Sequence, residues 1–150
     1  MAENKQVSGE QEAELFNVSE KDIFKFTSDF PASTDQGIPN HYHICVKTEE
    51  AYMLFNCCTS QIGKVQDRIK YFGRSYVAIA HMKNTGLSDP TYVDCDNVFS
   101  ISHENFDKYR AEGKIVFTGM LAGSDYQEVI KGVLASDIVE ENIKKLFDKS

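Results

Sequence analysis

Two short apolar segments of the chain carry reactive side chains at or near their ends. They are His41–Val46 (HYHICV) and Phe55–Ser60 (FNCCTS), and a short polar stretch separates them. Their aromatic and β-branched residues predict two strands that pair as a hairpin. Because side chains repeat with a period of two along a strand, His41 and His43 then point the same way. The Thr59–Ser60 pair stands where the second strand runs into a loop, a common place for site residues.

Side chains of these types can carry out acid–base chemistry. Histidine has an ordinary pKa near neutrality, so His41 and His43 could act as an acid and a base. Thr59 and Ser60 could donate hydrogen bonds to a developing negative charge. The alternative is structural: the histidines are partly buried and hydrogen-bonded, and the hydroxyls cap the loop through bonds to the backbone. The sequence leaves both interpretations open.

The four cysteines all lie in strand-like segments, at Cys45, Cys57, Cys58 and Cys95. With no secretory signal at the N-terminus, we expect buried free thiols rather than disulfides. Zinc bound by these thiols and the two histidines is a sharper alternative. However, no Cys-x-x-Cys pair occurs, and adjacent Cys57 and Cys58 face opposite sides of a strand. We therefore expect no metal site.

Composition favours one folded domain. The chain has 150 residues, of which 41% are hydrophobic and 11% aromatic, which argues against global disorder. No stretch approaches the roughly 20 apolar residues that a membrane helix needs. We therefore expect a cytoplasmic protein that does not associate with membranes. The net charge of −7 argues against an indiscriminate nucleic-acid binder.

The charge is unevenly distributed along the chain. Residues 1–22 hold six acids against two lysines, a net charge of −4, and predict an acidic, mobile tail before a domain at 23–150. Residues 60–84 hold five basic residues against one acid, a net charge of +4. This basic segment is either a local phosphate-binding surface or an ordinary solvated connection.

Periodicity and turn signals predict an antiparallel sheet followed by helices. Around Ser19–Phe26 a capped helix and a strand are both compatible with the pattern, and residues 28–40 predict a loop. The expected strands are 41–47, 51–59, 75–80, 91–101 with a bulge near 94–97, and 114–117. Ser102, Ser124 and Ser136 are the expected helix starts. The result is an α+β domain, or a small barrel with added helices.

The order of these segments resembles the MazF/PemK toxin family, small endoribonucleases on an SH3-like barrel. The matching segments are His41–Val46, Leu54–Ser60 and the basic connection 61–84, then Thr91–Val98 (TYVDCDNV) and the turn and helix of Gly119–Leu134. Together they span about residues 38–135. Each motif is short, so their order carries the resemblance. The chain departs from the family at His41, which stands near the position of a phosphate-stabilising arginine.

The resemblance implies a fold, a reaction and partners. The fold is a small antiparallel SH3-like barrel with C-terminal helices. The reaction is metal-free and cofactor-free cleavage of single-stranded RNA, in which the ribose 2′-hydroxyl attacks the adjacent phosphate and leaves a cyclic phosphate. The implied state is a homodimer that an acidic antitoxin neutralises. The expected catalytic residues are His41, His43, Thr59 and Ser60, and the expected RNA-binding residues are Gln61, Lys64, Arg68, Lys70 and Arg74.

Three other hypotheses accompany this one. In the first, the barrel is catalytically inactive and binds protein or RNA, because the arginine is missing. In the second, the chain is a metal-dependent enzyme that uses His41, His43 and a cysteine. The third is a variant of the toxin hypothesis, in which the acidic residues 1–22 fold back over the basic segment and inhibit the protein.

Overall fold

A computed structural model describes residues 17–26 and 41–148 of the chain. In this part, six strands and four helices follow one another: β1 (Asp22–Phe26), β2 (His41–Thr48), β3 (Tyr52–Thr59), α1 (Ile62–Phe72), β4 (Tyr76–Ala78), β5 (Tyr92–Ser102), α2 (His103–Ala111), β6 (Val116–Met120), α3 (Gly123–Ala135) and α4 (Glu141–Phe147). None of the helices formed by these residues is both long enough and apolar enough to cross a membrane.

The strands form one antiparallel sheet in the order β4-β5-β3-β2-β1-β6. The α+β class predicted from the sequence is therefore confirmed. Among the described residues the edge strands β4 and β6 do not pair, so the sheet is not closed into a barrel. The segment after β4 nevertheless reaches β6, where the Met120 N–H donates to the Asn84 carbonyl over 2.9 Å. A side chain at Gly119 would overlap that same carbonyl oxygen, which explains the glycine there.

The central strands are buried on both faces. One face packs Ile44, Val46 and Leu54 against α3, and the other packs Phe24 and Phe55 against α2. Consequently four consecutive side chains are buried in each of β2 and β3, where a sheet with one solvated face would show alternation. This double coverage determines which polar residues of the two strands can reach solvent.

The predicted irregularity in the fifth strand is present as a bulge. Asn56 pairs with Val98, whereas Cys58, two residues later, pairs with Val93. The buried Asn56 amide donates to the carbonyls of Asp94 and Asn97, 3.0 and 3.3 Å away, and so ties down the extra residues of β5.

The bulge places Asp96 at a junction of three chain segments. Its buried carboxylate accepts hydrogen bonds from the Arg74 guanidinium at 2.7 Å, from the Ser75 N–H at 2.9 Å and from the Ser136 hydroxyl. Burial raises the pKa of Asp96, but the bonds from Ser136, Ser75 and Arg74 outweigh it and hold the pKa below its ordinary value. Asp96 therefore links the C-terminal helices to the sheet as an ionised group.

Several predicted elements differ from the structure. Residues 62–72 form helix α1, where the sequence predicted a connection without regular structure. Helix α3 begins at Gly123 after Ala122, so the predicted capping role of Ser124 is wrong. Ser136 precedes α4 by several residues, and its hydroxyl instead accepts the N–H groups of Ile138 and Val139. By contrast, the cap at Ser102, which accepts the Asn105 N–H at 3.0 Å, is confirmed.

Two expectations fall wholly or partly outside the described residues. The loop at 28–40 and most of the acidic tail, residues 1–16, lie there. The last part of the expected tail is described: Asp22 is buried and begins β1, and its carboxylate accepts the Ser19 N–H at 2.8 Å.

We expect Asp96→Ala to lower the free energy of unfolding at pH 7 by about 2–4 kcal/mol, because three donors lose a buried acceptor. The pKa of this group is lower in the folded protein than in the unfolded chain. Its stabilisation is therefore present at neutral pH and is lost as the pH falls through the folded-state value. The difference in stability between the variant and the parent, measured by urea unfolding, should shrink as the pH falls below the ordinary aspartate value of 3.8. Asp67→Ala on the exposed side of α1 is the control. A loss below about 0.5 kcal/mol at pH 7 would refute the role given to Asp96.

Candidate functional site

A cavity of about 220 Å³ opens where β2 begins and β3 ends. Its lining comes from three segments of the chain and combines an imidazole, hydroxyls, an amide and a carboxylate: His41, Tyr42, Cys58, Thr59, Ser60, Gln61, Leu87, Ser88, Asp89 and Thr91. Such a mixture of polar groups around one opening is a reasonable starting point for a binding or catalytic site.

Strand pairing brings these segments together. The antiparallel register sets His43 opposite Cys57, so His41 lies beside the end of β3. Thr59 in turn pairs with Tyr92, which places Thr91 and the residues before it at the same end of the sheet. The Thr59 hydroxyl accepts the Gln61 N–H at 3.2 Å and turns the chain into α1. Because α1 begins at Ile62, its N-terminus adjoins the cavity, and its dipole favours an anion there.

The structure brings His41, Thr59, Ser60 and Gln61 to this cavity but leaves His43 out of it. His43 is fully buried and stacks on Phe26, with ring centroids 3.9 Å apart, while its edge faces Phe99. Neither ring nitrogen has a hydrogen-bond partner among the described residues. Burial, and secondarily the nearby His41, lowers the pKa of His43 to about 3. At neutral pH it is a neutral core residue.

The basic residues expected to bind RNA divide into two groups. Lys64 and Lys70 are exposed on α1, with the Lys70 ammonium 5.3 Å from the Tyr71 ring centroid. Arg68 is also exposed, and its guanidinium donates to the Tyr76 hydroxyl at 2.9 Å. Arg74 instead forms the ion pair with Asp96 described above. The sequence showed the charge of all four but could not show that one of them is already engaged inside the fold.

Sequence reasoning missed the contribution of Ser88 and Asp89. No site role was predicted for these two residues, although a hydroxyl and a carboxylate stand shortly before the strand that pairs with Thr59. Sequence reasoning also missed Asp125, which is buried in the first turn of α3. This carboxylate accepts the Ala80 and His81 N–H groups at 3.1 and 2.9 Å and so anchors the segment that leads to the cavity.

The cysteines are free thiols, as expected, and Cys45, Cys58 and Cys95 are buried. Burial raises the pKa of Cys57 to about 11 and those of Cys45 and Cys95 to about 12. Thiols with pKa values this high are poor nucleophiles at neutral pH. Within the described residues, no three His, Cys, Asp or Glu side chains are grouped so that they could hold a metal ion.

No protein-family model matches the sequence, and no curated protein is significantly similar to it.

The buried His43 predicts a particular pH dependence of stability. Its pKa is lower in the folded protein than in the unfolded chain, so acidification protonates the unfolded chain first and stability falls between about pH 6.5 and pH 3. Between pH 7 and pH 5 this one group should cost about 2 kcal/mol. The variant His43→Phe keeps a ring that can stack on Phe26 but has no group to protonate. Urea unfolding at pH 7 and pH 5 should therefore show a loss of stability that is smaller than that of the parent by this amount. An unchanged pH dependence would show that His43 is not a buried neutral group.

Proposed function

We propose that the chain is a metal-free endoribonuclease of the MazF/PemK type, and that the scissile phosphate of single-stranded RNA binds in the cavity at His41. One observation carries this proposal: His41, Thr59, Ser60 and Gln61 line the same cavity. These are the positions at which the order of sequence motifs resembles that family. No side chain in this set requires a bound metal for the reaction.

The reaction needs a base, an acid and stabilisation of negative charge. A base removes the proton of the ribose 2′-hydroxyl, whose oxygen forms a bond to phosphorus. The bond from phosphorus to the 5′-oxygen breaks, and an acid protonates that oxygen. With His43 neutral and buried, we assign His41 to one of these proton transfers and the Asp89 carboxylate, which lines the same cavity, to the other.

Charge on the phosphate must also be balanced without the arginine that the family would place near His41. The Thr59 and Ser60 hydroxyls and the Gln61 amide can donate hydrogen bonds to the phosphate oxygens. Lys64 lies in the first turn of α1, next to the helix N-terminus that adjoins the cavity. Helix dipole and lysine together supply positive potential at the position where charge develops. Arg68 and Lys70, further along α1, would contact phosphates on either side.

The finer fold assignment belongs to the same proposal. A curved SH3-like barrel for residues 23–150 is supported by the segment after β4, which bridges the two edge strands through Asn84 and Thr85. The same resemblance implies a cytoplasmic homodimer that an acidic antitoxin neutralises. These parts of the proposal depend on the resemblance alone.

A catalytically inactive RNA- or protein-binding module is the second candidate. The observation that favours it is the position of His43, which leaves His41 as the one imidazole in the lining of the cavity. Such a module would bind RNA with the same α1 residues and release no product.

The deciding experiment incubates purified protein with mixed single-stranded RNA in EDTA and analyses the ends of the products. We expect cyclic-phosphate ends, and a fall in rate of about 10²–10⁴-fold for His41→Ala, as is usual for loss of a general acid or base. Thr59→Val and Asp89→Asn should each also slow cleavage.

The matched control is His103→Ala, because His103 contacts the Glu49 carbonyl at the opposite end of the hairpin and lies outside the cavity lining. Cleavage that His41→Ala leaves unchanged would refute the assignment. RNA binding without any product, lost in Lys64→Ala and Lys70→Ala, would establish the binding module instead.

A further inference from the structure

The lining of the cavity at His41 includes no lysine or arginine among the described residues, and Asp89 adds a carboxylate to it. A phosphate bound there would meet hydrogen-bond donors but also a negative charge. On one side of the cavity, Lys64 stands in the first turn of α1. A cation on the other side, toward β1, would help to balance the charge of an RNA chain that crosses the cavity.

Lys25 lies on that other side. It is an exposed residue of β1, and the antiparallel register sets it directly opposite Tyr42 of β2. Because directly opposed residues project from the same face of a sheet, Lys25 shares a face with a residue that lines the cavity. The Lys25 ammonium is 5.5 Å from the centroid of the Tyr42 ring, which is within the range of a cation–π contact.

The described part of the fold does not neutralise the charge of Lys25. Its cross-strand neighbours are Tyr42 on β2 and Val116 on β6, and neither of them is acidic. Within residues 17–26 and 41–148, no carboxylate forms an ion pair with its ammonium. Arg74, by contrast, is paired with Asp96. The charge of Lys25 is therefore available to an anion.

Tyr42 can hold this ammonium in place because its own ring is supported by the core. Tyr42 is partly buried and packs against the apolar cluster that α3 covers. A lysine side chain is a flexible four-carbon stem that otherwise samples many positions. The ring attracts the ammonium without cancelling its charge. Tyr42 therefore connects the core, the cavity and Lys25.

We propose that Lys25 binds a phosphate of the RNA chain beside the cavity at His41, and that Tyr42 positions its ammonium for this contact. The inference rests on the proposed function, because it takes single-stranded RNA as the ligand of the cavity. The RNA chain then runs across the end of the sheet between Lys64 on α1 and Lys25 on β1. Strands β1 and β3 are two strand spacings apart, about 10 Å, and the cavity at the ends of β2 and β3 lies along this path.

The salt dependence of RNA binding tests the role of Lys25. The probe is single-stranded 2′-O-methyl RNA, which cannot be cleaved, and its affinity is measured by fluorescence anisotropy over a range of salt concentrations. A phosphate contact with a single strand contributes about 0.7 to the slope of log K against log salt concentration. Lys25→Ala should therefore lower this slope by about 0.7 and weaken binding about fivefold at about 0.1 M salt, with little change near about 1 M. Lys25→Arg should restore the slope.

A double-mutant cycle tests the positioning role of Tyr42. Tyr42→Leu removes the ring, so it should weaken RNA binding in the parent protein and weaken it less in a chain that already carries Lys25→Ala. Tyr42→Phe keeps a ring and should bind RNA as the parent does. A tyrosine that only supports the fold or contacts RNA directly would have the same effect with and without Lys25, and that result would refute positioning.

The matched control is Lys108→Ala. The Lys108 ammonium is 5.7 Å from the centroid of the Tyr109 ring and is also exposed, but it lies on α2, outside the cavity lining. This variant should leave the slope and the affinity unchanged. A loss as large as that of Lys25→Ala would indicate a diffuse attraction of RNA to surface lysines and would overturn the proposal.

The remaining outcomes separate this proposal from the proposed function. If Lys25→Ala leaves the slope unchanged while the parent protein binds and cleaves RNA, the phosphate contact is refuted and the nuclease stands. If the slope falls but RNA is never cleaved, the Lys25 contact stands and the nuclease activity is refuted. A parent protein that does not bind RNA at any salt concentration refutes both.

Discussion

Burial of β2 and β3 on both faces is the constraint on which the rest of the molecule depends. With α2 on one face and α3 on the other, a polar side chain in the middle of these strands is removed from water. Such a group must remain neutral or find buried partners. His43 is neutral, and Asn56 donates its amide to the bulge of β5. Chemistry that needs water, charge or a substrate is confined to the strand ends, where His41 and the Thr59–Ser60 pair lie.

This constraint also explains how far the sequence could predict the structure. The β2–β3 hairpin, the bulge in β5 and the cap at Ser102 follow from local patterns of apolar and polar residues. The burial of His43 could not be predicted in this way. A period of two shows that His41 and His43 share one face of the strand, but it does not show which part of that face other elements of the fold cover. Helix α1 was missed because Gln61 provides no side-chain cap and its apolar residues are interleaved with charged ones. Ser88 and Asp89 reach the cavity only through strand pairing.

The distribution of basic residues shows a similar division between structure and function. Arg74 forms an ion pair with Asp96, and Asp96 in turn joins the bulge to the segment before α4. Lys64 and Lys70, by contrast, are exposed to solvent. Positive charge is therefore concentrated on α1, whose N-terminus adjoins the cavity.

The central claim is that RNA binds at the cavity lined by His41, and the four histidines allow a direct measurement. In histidine-selective NMR, uncleavable 2′-O-methyl single-stranded RNA should shift the His41 imidazole resonances in a saturable manner. Those of His43, in the core, and of His103, at the far end of the hairpin, should stay in place. A saturable shift at His103 with His41 unchanged, or no saturable shift at any histidine, would contradict the account.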